Sequence, residues 1–156
     1  MLSEIMEPPL QIRLQPATWD DLGFVWALHQ AAMHDYVDRT WSWDPAVQET
    51  HFAKNFDPAT LQIIHADGAP AGYLSVKRQP ASMHLAAIAL EPRFQKRGIG
   101  TALLRTLVDR AAADGLPVDL QVLKVNPARG LYERLGFRVF EETATHCRMT
   151  TAVNFS

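Results

Sequence analysis

Gln95-Lys96-Arg97-Gly98-Ile99-Gly100-Thr101-Ala102 combines a basic pair with two glycines two residues apart. Before it lies an apolar run, Leu85 to Leu90, that predicts a strand. After it, the run from Leu103 to Ala111 predicts a helix. A basic, glycine-punctuated turn that opens a helix suits a pyrophosphate. The first turn of a helix has four N–H groups without intrahelical partners and sits at the positive end of the macrodipole. Gly98 and Gly100 carry no Cβ, so phosphate oxygens can come close to the backbone. Most of the contact is expected from the N–H groups of residues 96 to 101, Ile99 among them. Lys96 and Arg97 would add charge and Thr101 a hydroxyl. A solvated charge pair is the alternative for Lys96 and Arg97.

Two nucleotide motifs fail here. The Gly-Lys-Ser/Thr ending of a P-loop is absent, and Leu103 stands where a dinucleotide fingerprint needs its third glycine. The pattern present is Gln-x-x-Gly-x-Gly-x-Ala after a strand ending in Leu90-Glu91-Pro92. It resembles the coenzyme A motif of the GNAT acetyltransferases. Val125-Asn126-Pro127-Ala128-Arg129-Gly130-Leu131-Tyr132-Glu133-Arg134-Leu135-Gly136-Phe137 is similar to that superfamily's later motif, an Asn at a helix start followed by Tyr-Glu-x-x-Gly-Phe. The motifs stand in the right order, 31 residues apart from Gln95 to Asn126. The resemblance covers roughly residues 10 to 150, and within it the chain looks like uncharacterised bacterial members.

The resemblance implies an α/β GNAT fold: a mixed central sheet flanked by helices, whose middle strands, ending at Leu90 and Leu123, splay apart to admit the cofactor's pantetheine arm. It implies acetyl-CoA as cofactor and a small-molecule or peptide amine as acceptor, attacked directly in a ternary complex. Such a transfer needs a neutral amine, a stabilised oxyanion and a proton for the leaving thiolate. Tyr132 matches the tyrosine that protonates the thiolate in family members, and a phenol of pKa ~10 is protonated at neutral pH. Packing of a helix aromatic on the core is its alternative role. Asn126 caps its helix and matches an Asn that hydrogen-bonds the cofactor arm. The backbone at Ala89 and Leu90 would receive pantetheine and the thioester carbonyl. Gln95 opens the phosphate motif.

The general base is expected from His84. A base, usually Glu, holds the corresponding place in some family members, and histidine accepts a proton near neutral pH. Even spacing predicts His84, Ala86, Ile88 and Leu90 on one face of the strand. Glu91, Asp35 and His146 are rivals, as are a water chain and a role-less strand histidine. Cys147 reads as a strand-core residue. In this fold the segment between the first two helices builds the acceptor side. Here Asp35, Tyr36, Trp41 and Trp43 bring carboxylates and aromatics together, suited to a cationic amine or to a small cluster beneath a loop.

Composition sets the remaining bounds. A chain of 156 residues with 47% hydrophobic content predicts one domain, residues 10–156, after a lead-in at 1–9. A net charge of −2 argues against nucleic acid as partner. One cysteine and six histidines without H-x-x-x-H spacing give no support for a metal site. No apolar stretch reaches the ~18–20 residues of a membrane span, and the first residues lack a signal peptide's order, so a cytoplasmic protein is expected. A homodimer is suggested by the resemblance, through pairing of the closing strands.

Apolar periodicity predicts the element order β-α-α-β-β-β-α-β-α-β-β. The first strand is placed at Leu10–Leu14, and Thr18 is the N-cap of a helix carrying Leu22, Val25, Trp26, His29 and Met33. Asp44-Pro45 opens the second helix. Asp67-Gly68-Ala69-Pro70 is a hairpin turn, and Asn126 caps a helix with Pro127 at its first position. Three other functions stay open: an acyl-CoA-binding module without turnover, a transferase for a longer acyl group, and, with least support, an NAD- or ATP-binding domain.

Overall fold

A computed structural model describes residues 10–152. The lead-in expected at 1–9 and the last four residues lie outside them. The predicted element order holds. Strands β1 (Ile12–Pro16), β2 (Leu61–Ala66), β3 (Ala69–Arg78), β4 (Met83–Leu90), β5 (Val118–Leu123), β6 (Arg138–Glu142) and β7 (His146–Thr150) form one sheet in the order β1-β2-β3-β4-β5-β7-β6. Helices α1 (Leu22–Trp41), α2 (Pro45–Asn55), α3 (Ile99–Ala113) and α4 (Arg129–Arg134) flank it.

Local chemistry accounts for the boundaries. Thr18 accepts from the Asp20 N–H while Asp21 accepts from the Thr18 N–H, a reciprocal cap on the 3-10 turn that leads into α1. Asp44 accepts from the N–H groups of Ala46 and Val47 and starts α2. Two residues rather than four make the β2–β3 turn. Asp67 and Gly68 both have positive φ, 50° and 84°, as a two-residue hairpin with right-handed twist requires. The regular part of α4 begins at Arg129, two residues later than Pro127 suggested. Asn126 Oδ1 takes the Ala128 N–H at 2.9 Å, which closes a turn ahead of the helix.

The sheet carries a core on each face. Leu74, Leu85, Leu104, Leu120, Phe137 and Met149 pack on the side of α3 and α4. Val25, Leu28, Phe56, Ile63 and Tyr73 pack on the side of α1 and α2. All neighbouring strands are antiparallel except β4 and β5, which run parallel. Their pairing stops after Met83–Val118, His84–Asp119 and Leu85–Leu120. Beyond Leu85 the two strands diverge, which is the expected splay.

Candidate active site

The splay opens a cleft of about 630 Å³. Ala86 to Ala89 of β4 form one wall and Gln121 to Leu123 of β5 the other, with Asn126 and Tyr132 at one end and α1 and α2 over the opposite face. Main-chain groups of β4 past Leu85 have no strand partner on the β5 side, so this edge is available to a ligand that can hydrogen-bond along it.

A β-bulge sets which side chains meet the cleft. Ser75 pairs with Ala87 and Val76 with Leu85, so Ala86 is an extra residue on β4. This corrects the even-spacing expectation. His84 shares its face with Ala87 and Ala89, next to Tyr73, whereas Ile88 and Leu90 turn to the α3 side. Gly72 permits the close approach of β3 to β4 at this point: a Cβ there would lie 2.1 Å from the Ala89 carbonyl oxygen. A glycine inside a strand was the available signal for this contact.

Four residues beyond β4 the chain enters the glycine turn. Lys96 and Gly98 both have positive φ, 60° and 82°. These reversals of hand curl the backbone before Gly98 caps α3, and Gly98 supplies no side-chain cap. A Cβ on Gly98 would meet nothing within 4 Å, and one on Gly100 only the Leu90 side chain at 3.8 Å. The space over the helix start is therefore open. Lys96 and Arg97 are exposed at its edge. Open space, a bare helix N-terminus and two cations fit a pyrophosphate. Gln95 does something the motif did not foretell. Its amide Nε2 donates to the Leu90 carbonyl at 2.9 Å, so it ties the turn to the end of β4. That carbonyl, expected to receive pantetheine, is thus already engaged. Ala89 remains on the cleft wall and Leu90 does not.

Tyr132 lines the cleft while 9% exposed, with its ring edge-on to Phe137 at 5.7 Å. Burial raises its pKa above the ordinary phenol value, so the hydroxyl keeps its proton at neutral pH. His84 also lines the cleft, with Nδ1 2.5 Å from Asp119 Oδ1. The two residues are a cross-strand pair in the last paired stretch before the splay.

The expected acceptor quartet is not one group. Residues 33–41, read as a connection, continue α1 to Trp41, and a helix turns neighbours about 100° apart. Trp41 stands on the cleft wall, 55% exposed, its ring 5.8 Å from that of His146. Asp35 and Tyr36 line a separate surface groove with Arg39 and Val125. Trp43 lies on neither, its ring 4.8 Å from His34. Beside Trp41, the cleft wall on this side comes from His29, Met33, Gln48 and His51, of which His29 and Met33 were read only as positions on the first helix. Burial, and then the charge of His51, lower the pKa of His29 below the usual histidine value. Cys147 is fully buried, as expected of a core residue.

Among the described residues no helix is long and apolar enough to cross a membrane. The model of the acetyltransferase (GNAT) family matches residues 24–137. A mycothiol acetyltransferase of Clavibacter michiganensis is 41% identical over 86 residues, which cover 53% of this chain and 28% of that protein. Its counterpart in Clavibacter sepedonicus is 38% identical over the same length and shares. The match thus spans little more than a quarter of these relatives. PaiA N-acetyltransferase from Thermoplasma acidophilum, solved with coenzyme A, superposes with a TM-score of 0.72 at 15% identity, over 90% of this chain and 98% of that one. The Escherichia coli ribosomal-protein-S18-alanine N-acetyltransferase gives 0.65 at 22% identity, over 94% and 96%. At such identities the likeness is one of fold.

Proposed function

The chain belongs to the acetyltransferase (GNAT) family, and from that membership we propose that it transfers the acetyl group of acetyl-CoA to a primary amine by direct attack in a ternary complex. One observation carries the reading. The gap between β4 and β5 runs toward a bare, glycine-capped helix start, and a buried phenol and a histidine share that gap. When bound, acetyl-CoA supplies an acetyl group activated as a thioester.

The chain's own residues have separable tasks. The N–H groups of residues 96 to 101 would hold the pyrophosphate, aided by Lys96, Arg97 and the Thr101 hydroxyl. The Ala89 backbone would hold the pantetheine arm, and Asn126, also on the cleft wall, would hydrogen-bond it. Gln95 keeps the turn in register with β4. Tyr132 gives up a proton at Oη, and His84 takes one from the amine, so one proton is gained for each released. Trp41, at the lip, covers the acceptor. Asp35, Tyr36 and Trp43 lie too far round α1 and its end to share that task.

Thermal shift with acetyl-CoA, coenzyme A, NAD and ATP side by side tests the cofactor. A ligand at about 100 times its Kd stabilises by ~2.7 kcal/mol. A rise with the two coenzyme A species alone is expected; an equal rise with ATP refutes the reading. An amine panel scored by thiol release then separates transfer from binding without turnover. Competition among acyl-CoAs of increasing length sets the acyl preference.

A further inference from the structure

We infer that Asp119 is a positioning residue that holds His84 in one tautomer and so aims a proton-accepting nitrogen into the cleft. Its catalytic consequence rests on the acetyl-transfer reading; its geometry does not. His84 Nδ1 lies 2.5 Å from Asp119 Oδ1. An ionised carboxylate only accepts hydrogen bonds, so the proton between them sits on Nδ1. In neutral imidazole the other nitrogen, Nε2, then carries the lone pair. His84 forms part of the cleft wall, whereas Asp119, its neighbour on β5, does not. Nε2 is thus the nitrogen left for an acceptor.

The sheet explains why this pairing is rigid. His84 and Asp119 are directly opposed on parallel strands, within the three pairs that precede the splay. Their side chains are each about one-quarter exposed, 25% and 26%, so neither is free to swing into solvent. On β5 the apolar Val118, Leu120 and Val122 face α3, which leaves Asp119 on the same side as His84. The bulge at Ala86 has the matching effect on β4, since it puts His84 on the face of Tyr73, Ala87 and Ala89. Were Ala86 in regular alternation instead of bulged, His84 would sit with Ile88 and Leu90 on the α3 side. The other imidazoles on the cleft keep different company: His29 stacks on Trp26 and Phe52, His51 neighbours Asn55, and His146 meets Thr145 and Trp41.

Long-range nitrogen–proton NMR on histidine-labelled protein tests the pairing without any substrate. The signal that disappears in His84→Gln identifies the residue. Wild type is expected to show the proton on Nδ1, and Asp119→Asn to lose that preference. Wild type with the proton on Nε2 overturns the inference. Turnover with an amine found by the panel gives the second readout. Asp119→Asn is expected to lower kcat about tenfold or more while leaving KM for acetyl-CoA unchanged, and Asp119→Glu to recover part of the loss. An Asp119→Asn enzyme with wild-type kcat and an unaltered NMR signature also overturns it. If no amine is acetylated and acetyl-CoA gives no thermal shift, the transfer reading fails, and the tautomer measurement still decides the pairing.

Discussion

The turn at residues 95–101 offers main chain, whereas the cleft along α1 and α2 is bordered by side chains. In the first region Lys96 and Gly98 reverse the backbone, and the groups on offer are N–H donors at a helix start. In the second, Trp41, His29, Gln48 and His51 reach the cleft from two helices, each placed by the packing of its neighbours. Main chain can recognise a phosphate with almost any residue between the glycines. A side-chain wall recognises whatever its particular residues fit. One half of the site is therefore suited to a shared cofactor, and the other to an acceptor of this chain's own.

Substitutions can test whether the two halves act separately. The largest effect is expected from Gly98→Glu, which sets a carboxylate and a left-handed non-glycine residue at the helix start. Calorimetry should show coenzyme A affinity reduced roughly 100-fold, about 2.7 kcal/mol. A comparable rise in amine KM would break the separation. Tyr132→Phe comes next. It removes the proton donor and little volume, so kcat should fall about 100-fold with coenzyme A affinity within a few-fold of wild type. Burial raises the Tyr132 pKa, so in wild type the alkaline loss of this donor should begin only above the ordinary phenol value of ~10.

Trp41→Ala should act only on the acceptor half. Steady-state kinetics is expected to show amine KM raised about 3- to 10-fold, with Tm little changed because the ring is more than half exposed. His29→Phe should have the smallest effect on stability, and that effect should depend on acid. Burial depresses the folded-state pKa of His29, so its contribution is full above the unfolded value of ~6.5 and is lost as pH falls below it. Linkage limits the loss to about 1.4 kcal/mol per pH unit. Denaturant titrations at pH 7.5 and 5.5 should differ less for His29→Phe than for wild type.

The same contrast explains what could be read from the sequence. Glycine, Asn and Asp act locally, so Asp67-Gly68, Asp44-Pro45 and the turn at Gly98 announce themselves by residue type. Strand periodicity ordered the elements, and two motifs pointed to the family. Other features depend on distant partners. Nothing in Leu85-Ala86-Ala87-Ile88-Ala89 marks Ala86 as the bulged residue, because three alanines suit either face. The length of α1 hid the separation of Asp35 from Trp41, since residues rich in aromatics and acids read as a loop until their helical bonds are seen. Asp119 drew no notice in a strand of apolar alternation. Its partner lies 35 residues away and becomes its neighbour only through the β4–β5 register.

The brevity of that register also bears on motion. Three residue pairs join a four-strand plate, β1 to β4, to a three-strand plate, β5 to β7. The seam is the shortest run of pairing across the sheet's middle, so small rotations between the plates should concentrate there and widen or narrow the gap. A ligand seated in the gap would touch both plates and act as a brace. Amide hydrogen exchange at Leu85 and Leu120 should then slow together on coenzyme A addition, while exchange within β1 and β2 stays as it was.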